Sequence, residues 1–366
     1  MSENEQVLTR IALEPLRSIS PSQYHSLKSC ELRGILTGNH RAPLMPISPA
    51  ARVGQIIHKL LEMVALGQIT DEKSMQSAWE EALEEVEQQM KENPMERHLV
   101  PLEHSANGFE TKKKLLFAMI KKLEKSRGET RKIAKIPAIE SEAWYESEDG
   151  KVRGKIDLVR YTDSGAEIID YKTDPKEYGS DESLRPEYQD QLKMYAAIFH
   201  SKKHEWPIRL VLVGINQKEY EVKFGENECA RLLNDATSDL DKINQKIAAG
   251  TTPEEFAKPS PESCRYCPFR PACAAYWKSR RDTADWPSDV SGEVIENELL
   301  GNGLRRIVIA SGETKVAIRS LSPDRYGFLD RRVKKVVFCN LIPDKTENSY
   351  AESPLTVGFD NEKDAV

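Results

Sequence analysis

The sequence predicts an α/β protein, a mixed sheet core flanked by helices, and three patterns carry that prediction. Residues 138–146, 151–161 and 166–173 are short and β-rich. The turn signals Glu148-Asp149-Gly150 and Asp163-Ser164-Gly165 separate them, so they read as a meander. Ile208 to Ile215 is apolar and β-branched, as in a buried strand. Segments of helical period stand on both sides of these strands, which places helices against the sheet.

Taken in order, Ser48-Pro49 starts a helix, with serine as N-cap and proline at the first helical position. Val53, Ile56, Ile57, Leu60, Leu61 and Val64 then recur along one helix face, and Gly67 ends it. Helices over about 71–92 and 109–126 follow, making residues 68–135 a helical insertion in an N-terminal helical region. After the meander, a helix over 184–200 carries Leu192, Tyr195, Ala196 and Phe199. Glu219 to Phe224 alternates and suits a hairpin partner for the buried strand, and a helix over 226–249 is ended by Gly250. Pro259, Pro261, Pro268 and Pro271 break up the next stretch. Beyond Trp286-Pro287 strands return at Gly292 to Asn297, Leu304 to Ala310, Thr314 to Ser320 and Val333 to Asn340. They predict a small β-barrel-like (OB-like) module. The predicted organisation is a main domain over 1–287, the β module over 288–345 and a polar tail over 346–366.

Composition bounds the function. The 366 residues are 39% hydrophobic and 31% charged, which excludes a disordered or fibrous chain. A net charge of −6 gives no global sign of nucleic-acid binding, so any such site is local. Locally the charge is uneven. Residues 71–97 carry nine acids and three bases, among them Glu80, Glu81, Glu84 and Glu85. Residues 111–135 carry ten bases and two acids, and residues 301–340 nine bases and three acids. No apolar run approaches a membrane span and no signal peptide is evident, so a cytoplasmic protein is expected. Six cysteines in such a chain point to metal binding or burial rather than to a disulfide scaffold.

The chemistry concentrates in Gly154-Lys155-Ile156-Asp157 and Ile168-Ile169-Asp170-Tyr171-Lys172-Thr173. Asp170 and Lys172 are two residues apart on a strand and share a face. Antiparallel pairing across the short turn brings Asp157 near Asp170. Two adjacent carboxylates repel unless a cation lies between them, and a hard divalent ion with phosphate oxygens suits them. Lys172 can neutralise charge on an attacked phosphate. A buried Asp–Lys pair closing a hairpin is the plainer alternative.

These residues resemble the PD-(D/E)-X-K nuclease superfamily, and most closely its RecB-type exonuclease branch, written G-x-x-D … D-Y-K-T. Gly54-Gln-Ile-Ile-His58 resembles that branch's G-x-x-x-H motif, and Gln191-Leu-Lys-Met-Tyr195 its Q-x-x-x-Y motif. Ile156 stands where the superfamily's name has proline, as is usual in this branch. The resemblance implies a restriction-endonuclease-like core and a DNA nuclease using Mg²⁺ or Mn²⁺. It implies Asp157, Asp170, His58 and the backbone carbonyl of Tyr171 as ligands, and Lys172 as the assisting base or cation. Glu142, or Glu140 on the same strand, is implied as a further acidic residue. Gln191 and Tyr195 are implied to position the DNA strand.

Cys264-Arg-Tyr-Cys267-Pro-Phe-Arg-Pro-Ala-Cys273 is a C-x₂-C-x₅-C run, and Cys30 lies 234 residues before it. Four thiolates suit zinc or an iron–sulfur cluster, and spacing leaves both open. The layout resembles iron–sulfur nucleases such as AddB-like subunits and CRISPR-associated RecB-type nucleases, which implies a [4Fe–4S] cluster. Cys229 and Cys339 fit simple burial. Arg265, Tyr266, Phe269, Arg270, Tyr276, Trp277, Lys278, Arg280 and Arg281 surround the run and suit either a single strand or packing. The chain has no G-x-x-x-x-G-K-[ST] loop, so duplex unwinding needs a separate helicase or defence-system partner. The sequence thus predicts a metal-dependent nuclease of single-stranded DNA or DNA ends, in repair, recombination or phage defence. A non-catalytic DNA-binding or assembly subunit on the same scaffold is the alternative.

Overall fold

The computed structural model describes residues 13–130, 139–172 and 184–361, with side chains to residue 122 in the first of these spans. Thr173 and five bases of the 111–135 stretch, Lys125, Arg127, Arg131, Lys132 and Lys135, lie outside the described side chains. The described residues form two compact units, each drawn from separate stretches of chain. One comprises the described residues within 15–28 and 47–249, the other those within 13–14, 29–46 and 250–361. The boundary expected at 287 falls inside the second of these.

In the first unit, helix α1 (Pro21–Ser29) leads in, ending at the unit's edge, and α3 (Pro49–Ala65) begins as predicted. The Ser48 side chain accepts from the Ala51 N–H, 3.3 Å away, and Pro49 needs no donor there. Helix α4 (Glu72–Glu92) is capped reciprocally: Asp71 accepts from the Ser74 N–H at 2.7 Å, and Ser74 accepts from the Asp71 N–H at 3.1 Å. Its Glu80, Glu81, Glu84 and Glu85 all face solvent, so this part of the acidic block is a solvated helix face. Glu96, 1% exposed, receives Arg52 Nε at 2.8 Å and the Ile47 N–H at 3.2 Å, tying the insertion to the start of α3. Helices α5 (Leu102–Ser105) and α6 (Phe109–Thr130) complete the insertion around buried Trp79.

The sheet of this unit has five strands in sequence order: β1 (Ile139–Glu146), β2 (Arg153–Thr162), β3 (Gly165–Lys172), β4 (Arg209–Gly214) and β5 (Glu219–Glu221). All neighbours are antiparallel except β3 and β4, which run parallel, as a helical crossover requires. That crossover contains α7 (Pro186–Lys203), which packs on β1 to β4 and buries Leu192, Met194, Ile198 and Phe199. Helix α8 (Glu226–Ala248) packs on α7. The mixed α/β, restriction-endonuclease-like core predicted from sequence is therefore present.

In the other unit, α2 (Glu31–Gly38), α9 (Pro253–Phe256), α10 (Pro261–Arg265) and α11 (Ala274–Ser279) accompany a seven-stranded mixed sheet. Its strands are β6 (Val290–Leu299), β7 (Arg305–Ser311), β8 (Thr314–Leu321), β9 (Lys335–Cys339), β10 (Ile342–Pro343), β11 (Ser349–Ala351) and β12 (Val357–Asp360), in the order β10-β11-β8-β7-β6-β9-β12. The four predicted segments match β6 to β9. Two further strands, β11 and β12, lie in the stretch expected as a polar tail. Ile307, Ile309, Ile318, Val336 and Phe338 form the core of the module. Beyond the bulge at Val294/Glu296, β6 parts from β9, and Glu293 to Asn297 face Arg331 to Lys334 across a groove.

Gly154 explains the first letter of its motif. A Cβ there would stand 2.8 Å from Pro21 Cδ and 3.0 Å from Tyr195 Cε1, too close without a shift of either ring. We expect Gly154→Ala to destabilise the protein by about 1–3 kcal/mol, as overpacked cores do, measured by urea unfolding. Unchanged stability would mean that Pro21 and Tyr195 give way freely.

Candidate active site

Residues of five elements meet at the end of the β2–β3 ladder. The two strands pair from Thr162↔Gly165 to Leu158↔Ile169, and the next step in that register sets Asp157 opposite Asp170. The ladder stops there because a side chain replaces it. Asp157 Oδ2 accepts the Tyr171 N–H at 2.8 Å. On the other side of β2, the β1 register sets Glu142 opposite Asp157. Glu142 has φ +52°, the left-handed region that a non-glycine residue adopts at a cost in strain. Its carboxylate pairs with Lys155, whose side chain shares a face of β2 with Asp157.

Asp170 is 3% exposed. Lys172 Nζ lies 2.9 Å from its Oδ2, yet that oxygen has no hydrogen bond of acceptable geometry. Lys172 also donates to Gln191 Oε1 at 3.3 Å, and its ammonium lies 4.9 Å from the centre of the Tyr188 ring. Gln191 Nε2 is 3.4 Å from Asp170 Oδ1 and 3.1 Å from the Tyr195 hydroxyl. Tyr188, Gln191 and Tyr195 stand at i, i+3 and i+7 on α7, which brings all three to one face. His58, on α3, places Nδ1 3.8 Å from Asp157 Oδ2 and keeps 38% of its side chain open to solvent.

The electrostatics follow from burial. Desolvation, then the Asp170 charge, raises the Asp157 carboxyl well above the ordinary value of 3.8; the Tyr171 N–H and Lys172 pull the other way. Burial lowers His58 below 6.5, with Asp170 opposing and Lys172 adding to the shift. A neutral imidazole has a lone pair available for a metal.

The structure thus brings Asp157, Asp170, Lys172 and His58 together, with Glu142 across from Asp157. It separates Glu140 from them. Burial would raise that carboxyl, but hydrogen bonds from Lys203 at 2.7 Å, from Tyr145 and from Tyr161 at 2.8 Å outweigh it and hold it low. Gln191 and Tyr195, expected against a DNA strand, are 7% and 5% exposed. Their polar atoms serve Asp170, Lys172 and each other, because α7 packs directly on the sheet behind the carboxylates. Sequence reasoning missed Lys155 and Tyr188. The strand spacing Lys155–Asp157 and the helix spacing Tyr188–Gln191 were the available signals.

Among the described residues no three His, Cys, Asp or Glu side chains stand close enough to hold an ion between them. The donor set nevertheless fits a hard cation. Two facing carboxylates, one with a buried oxygen lacking a hydrogen bond, are unfavourable without one.

The cysteines divide in the structure as they do in the sequence. Cys30, Cys264, Cys267 and Cys273 line one cavity in the second unit, whereas Cys229 and Cys339 are buried elsewhere. All six are free thiols. Burial pushes Cys264 up to about 11 and Cys273 up to about 12, so these thiols hold their protons at neutral pH unless a metal displaces them. Backbone N–H groups point at two of the sulfurs, Lys258 to Cys30 at 3.5 Å and Tyr276 to Cys273 at 3.4 Å, the latter as the N-cap contact of α11. Of the surrounding aromatics and bases, Phe269, Arg270 and Tyr276 are buried and serve packing, while Tyr266 is 78% exposed.

Comparison with known proteins gives the following. The family model described as the PD-(D/E)XK nuclease superfamily matches residues 18–274. No curated protein matches. A solved structure described as "Crystal structure of SSO0001" is similar at 13% identity over 75% of this chain and 93% of that one, with a TM-score of 0.30. No helix among the described residues is long and apolar enough to cross a membrane.

The raised Asp157 carboxyl has a consequence for stability. The folded metal-free protein holds this proton more tightly than the unfolded chain, so stability falls as pH rises from about 3.8 through the raised value. We expect Asp157→Asn, which can still accept the Tyr171 N–H, to stabilise the metal-free protein at pH 7. That gain should vanish below about pH 3.8. Urea unfolding with chelator at both pH values checks this.

Proposed function

The chain belongs to the PD-(D/E)XK nuclease superfamily, and on that basis we propose a Mg²⁺- or Mn²⁺-dependent deoxyribonuclease that hydrolyses phosphodiester bonds at single strands or DNA ends. The observation that carries this reading is the meeting of Asp157, Asp170 and Lys172, with an Asp170 oxygen left without a hydrogen bond. Asp157 and Asp170 would hold the cation, with His58, Glu142 and the Tyr171 carbonyl as further donors. When bound, the cation supplies counter-charge for the phosphate and makes water acidic enough to attack. Lys172 is held in place by Asp170, Gln191 and Tyr188, so its ammonium is ready for negative charge that develops on the attacked phosphate. Gln191 fixes both Asp170 and Lys172, and Tyr195 fixes Gln191. Repair, recombination or phage defence, alongside a separate helicase or defence-system partner, is the setting such an activity suits.

Two companion proposals rest on the second unit. Cys30, Cys264, Cys267 and Cys273 would hold a [4Fe–4S] cluster, for which the shared cavity and the N–H groups aimed at sulfur are favourable. The C-terminal sheet would contact phosphates of a bound strand through Arg332 and Lys334, on the wall of its groove opposite Glu293 and Glu296.

For catalysis, Asp157→Ala, Asp170→Ala and Lys172→Ala are each expected to lower cleavage by roughly 100-fold or more, with strand binding within a few-fold of wild type. His58→Ala should be milder or alter the preference between Mg²⁺ and Mn²⁺. The assay uses end-labelled, circular and duplex DNA, with metal and with chelator. Wild-type cleavage by Asp170→Ala would replace the nuclease reading with that of a binding subunit.

For strand binding, Arg332→Ala with Lys334→Ala should reduce the slope of log affinity against log salt by about 1 on single-stranded DNA. Arg331 is left alone because it pairs with buried Asp360 at 3.4 Å. An unchanged slope would remove the C-terminal sheet from the DNA interface.

A further inference from the structure

Arg270 lies between the second and third cysteines of the C-x₂-C-x₅-C run, and nothing in the proposed chemistry uses it. It is 2% exposed, an unusual place for a guanidinium. Its five donors point in two directions. Toward the cysteines, Nη1 donates to the carbonyl of Arg265 at 2.8 Å and reaches that of Cys264 at 3.4 Å. Those carbonyls end helix α10; that of Cys264 also accepts the Cys267 N–H at 3.1 Å, whereas Arg270 gives that of Arg265 its donor. Away from the cysteines, Nε donates to Asp289 Oδ2 at 2.7 Å, Nη2 reaches Asp289 Oδ1 at 3.3 Å, and Nη2 also bonds Asn340 Oδ1.

Asp289 and Asn340 belong to the C-terminal sheet: Asp289 immediately precedes β6 and Asn340 immediately follows β9. Asp289 is 0% exposed and also accepts the Tyr276 hydroxyl at 2.8 Å and the Asn340 N–H at 2.8 Å. Tyr276 in turn directs its N–H at the sulfur of Cys273. Two routes therefore run from the cysteines to one fully buried carboxylate at the root of the sheet.

We infer that Arg270 is a positioning residue that fixes the cysteine run to the C-terminal sheet through Asp289, so that the order of the thiol site and the docking of the sheet support each other. A buried ion pair of this kind adds little when intact, but losing one member leaves an uncompensated charge in the interior. Its use here is to specify geometry: the guanidinium joins the carbonyls at the end of α10, inside the cysteine run, to the carboxylate at the root of the sheet. The inference rests on the reading of these cysteines as ligands only for its iron measurement. The thiol measurement is independent of it.

The test compares wild type, Asp289→Asn, and the double variant Arg270→Met/Asp289→Leu as full-length proteins. The double variant removes both charges together and so leaves none unpaired should Asp289→Asn fail to fold. In metal-free protein, the rate of alkylation by iodoacetamide is followed at each cysteine by mass spectrometry. Cys264, Cys267 and Cys273 should react at least tenfold faster in the variants, with Cys229, in the other unit, unchanged. In anaerobically purified protein, iron per chain should fall severalfold in the variants, and chelator treatment of wild type should speed amide hydrogen exchange in β6 and β9. Equal alkylation rates at the three cysteines in a folded variant would overturn the inference. Wild type without iron or any other metal would overturn the cluster reading while the alkylation rates still decide the role of Arg270.

Discussion

Two carboxylates facing each other across adjacent strands, with little water to share the field, are the arrangement around which the five-stranded sheet is organised. Asp157 and Asp170 would push β2 and β3 apart if nothing answered their repulsion. Three features answer it. The Asp157 side chain takes over the Tyr171 N–H where the ladder stops, so the strands part without leaving that donor unsatisfied. Lys172 comes from the same strand face as Asp170 and sets a cation 2.9 Å from it. Helix α7, required by the parallel crossover from β3 to β4, has to present Tyr188, Gln191 and Tyr195 at the register that holds that lysine. The sheet order, the crossover and the helix face all serve this one electrostatic problem. What remains unresolved, the raised Asp157 carboxyl and the unbonded Asp170 oxygen, is the part of the site that binding a cation would complete.

Much of this was legible in the sequence because it is local. The Ser48-Pro49 start, the meander and the Asp–x–Lys spacing are patterns of a few residues, and each appears where it was read. Asp157 meeting Asp170 follows from a short turn and antiparallel pairing alone. What sequence did not reveal depends on which way a helix faces. Gln191 and Tyr195 were read as strand contacts, whereas packing of α7 on the sheet turns them inward. The choice between Glu140 and Glu142 depends on a left-handed residue at 142 and on a partner, Lys203, at the far end of α7. Neither has a short-range signature.

The C-terminal sheet marks the same limit. Strands β6 to β9 are long enough to be seen, but β10, β11 and β12 have two to four residues each, with a proline in β10 and a glycine in β12. The β11–β8 pair is parallel and joins distant stretches, so no turn announces it. The Arg270–Asp289 pair was equally hidden. A basic residue among aromatics beside a cysteine run suits a strand or packing equally, and only burial shows that its charge is directed inward.

The distance in sequence between the cysteines also governs how the thiol site is born. Cys30 leaves the ribosome 234 residues ahead of Cys264. At 5–20 residues per second that interval is roughly 10 to 50 s, during which residue 30 is a thiol with no partners and the whole first unit is being made. The nascent chain can therefore finish most of the five-stranded sheet before its cysteine cavity has a second wall. Any assembly factor that fills the cavity must act on a nearly completed polypeptide, and a reducing compartment keeps Cys30 usable in the meantime.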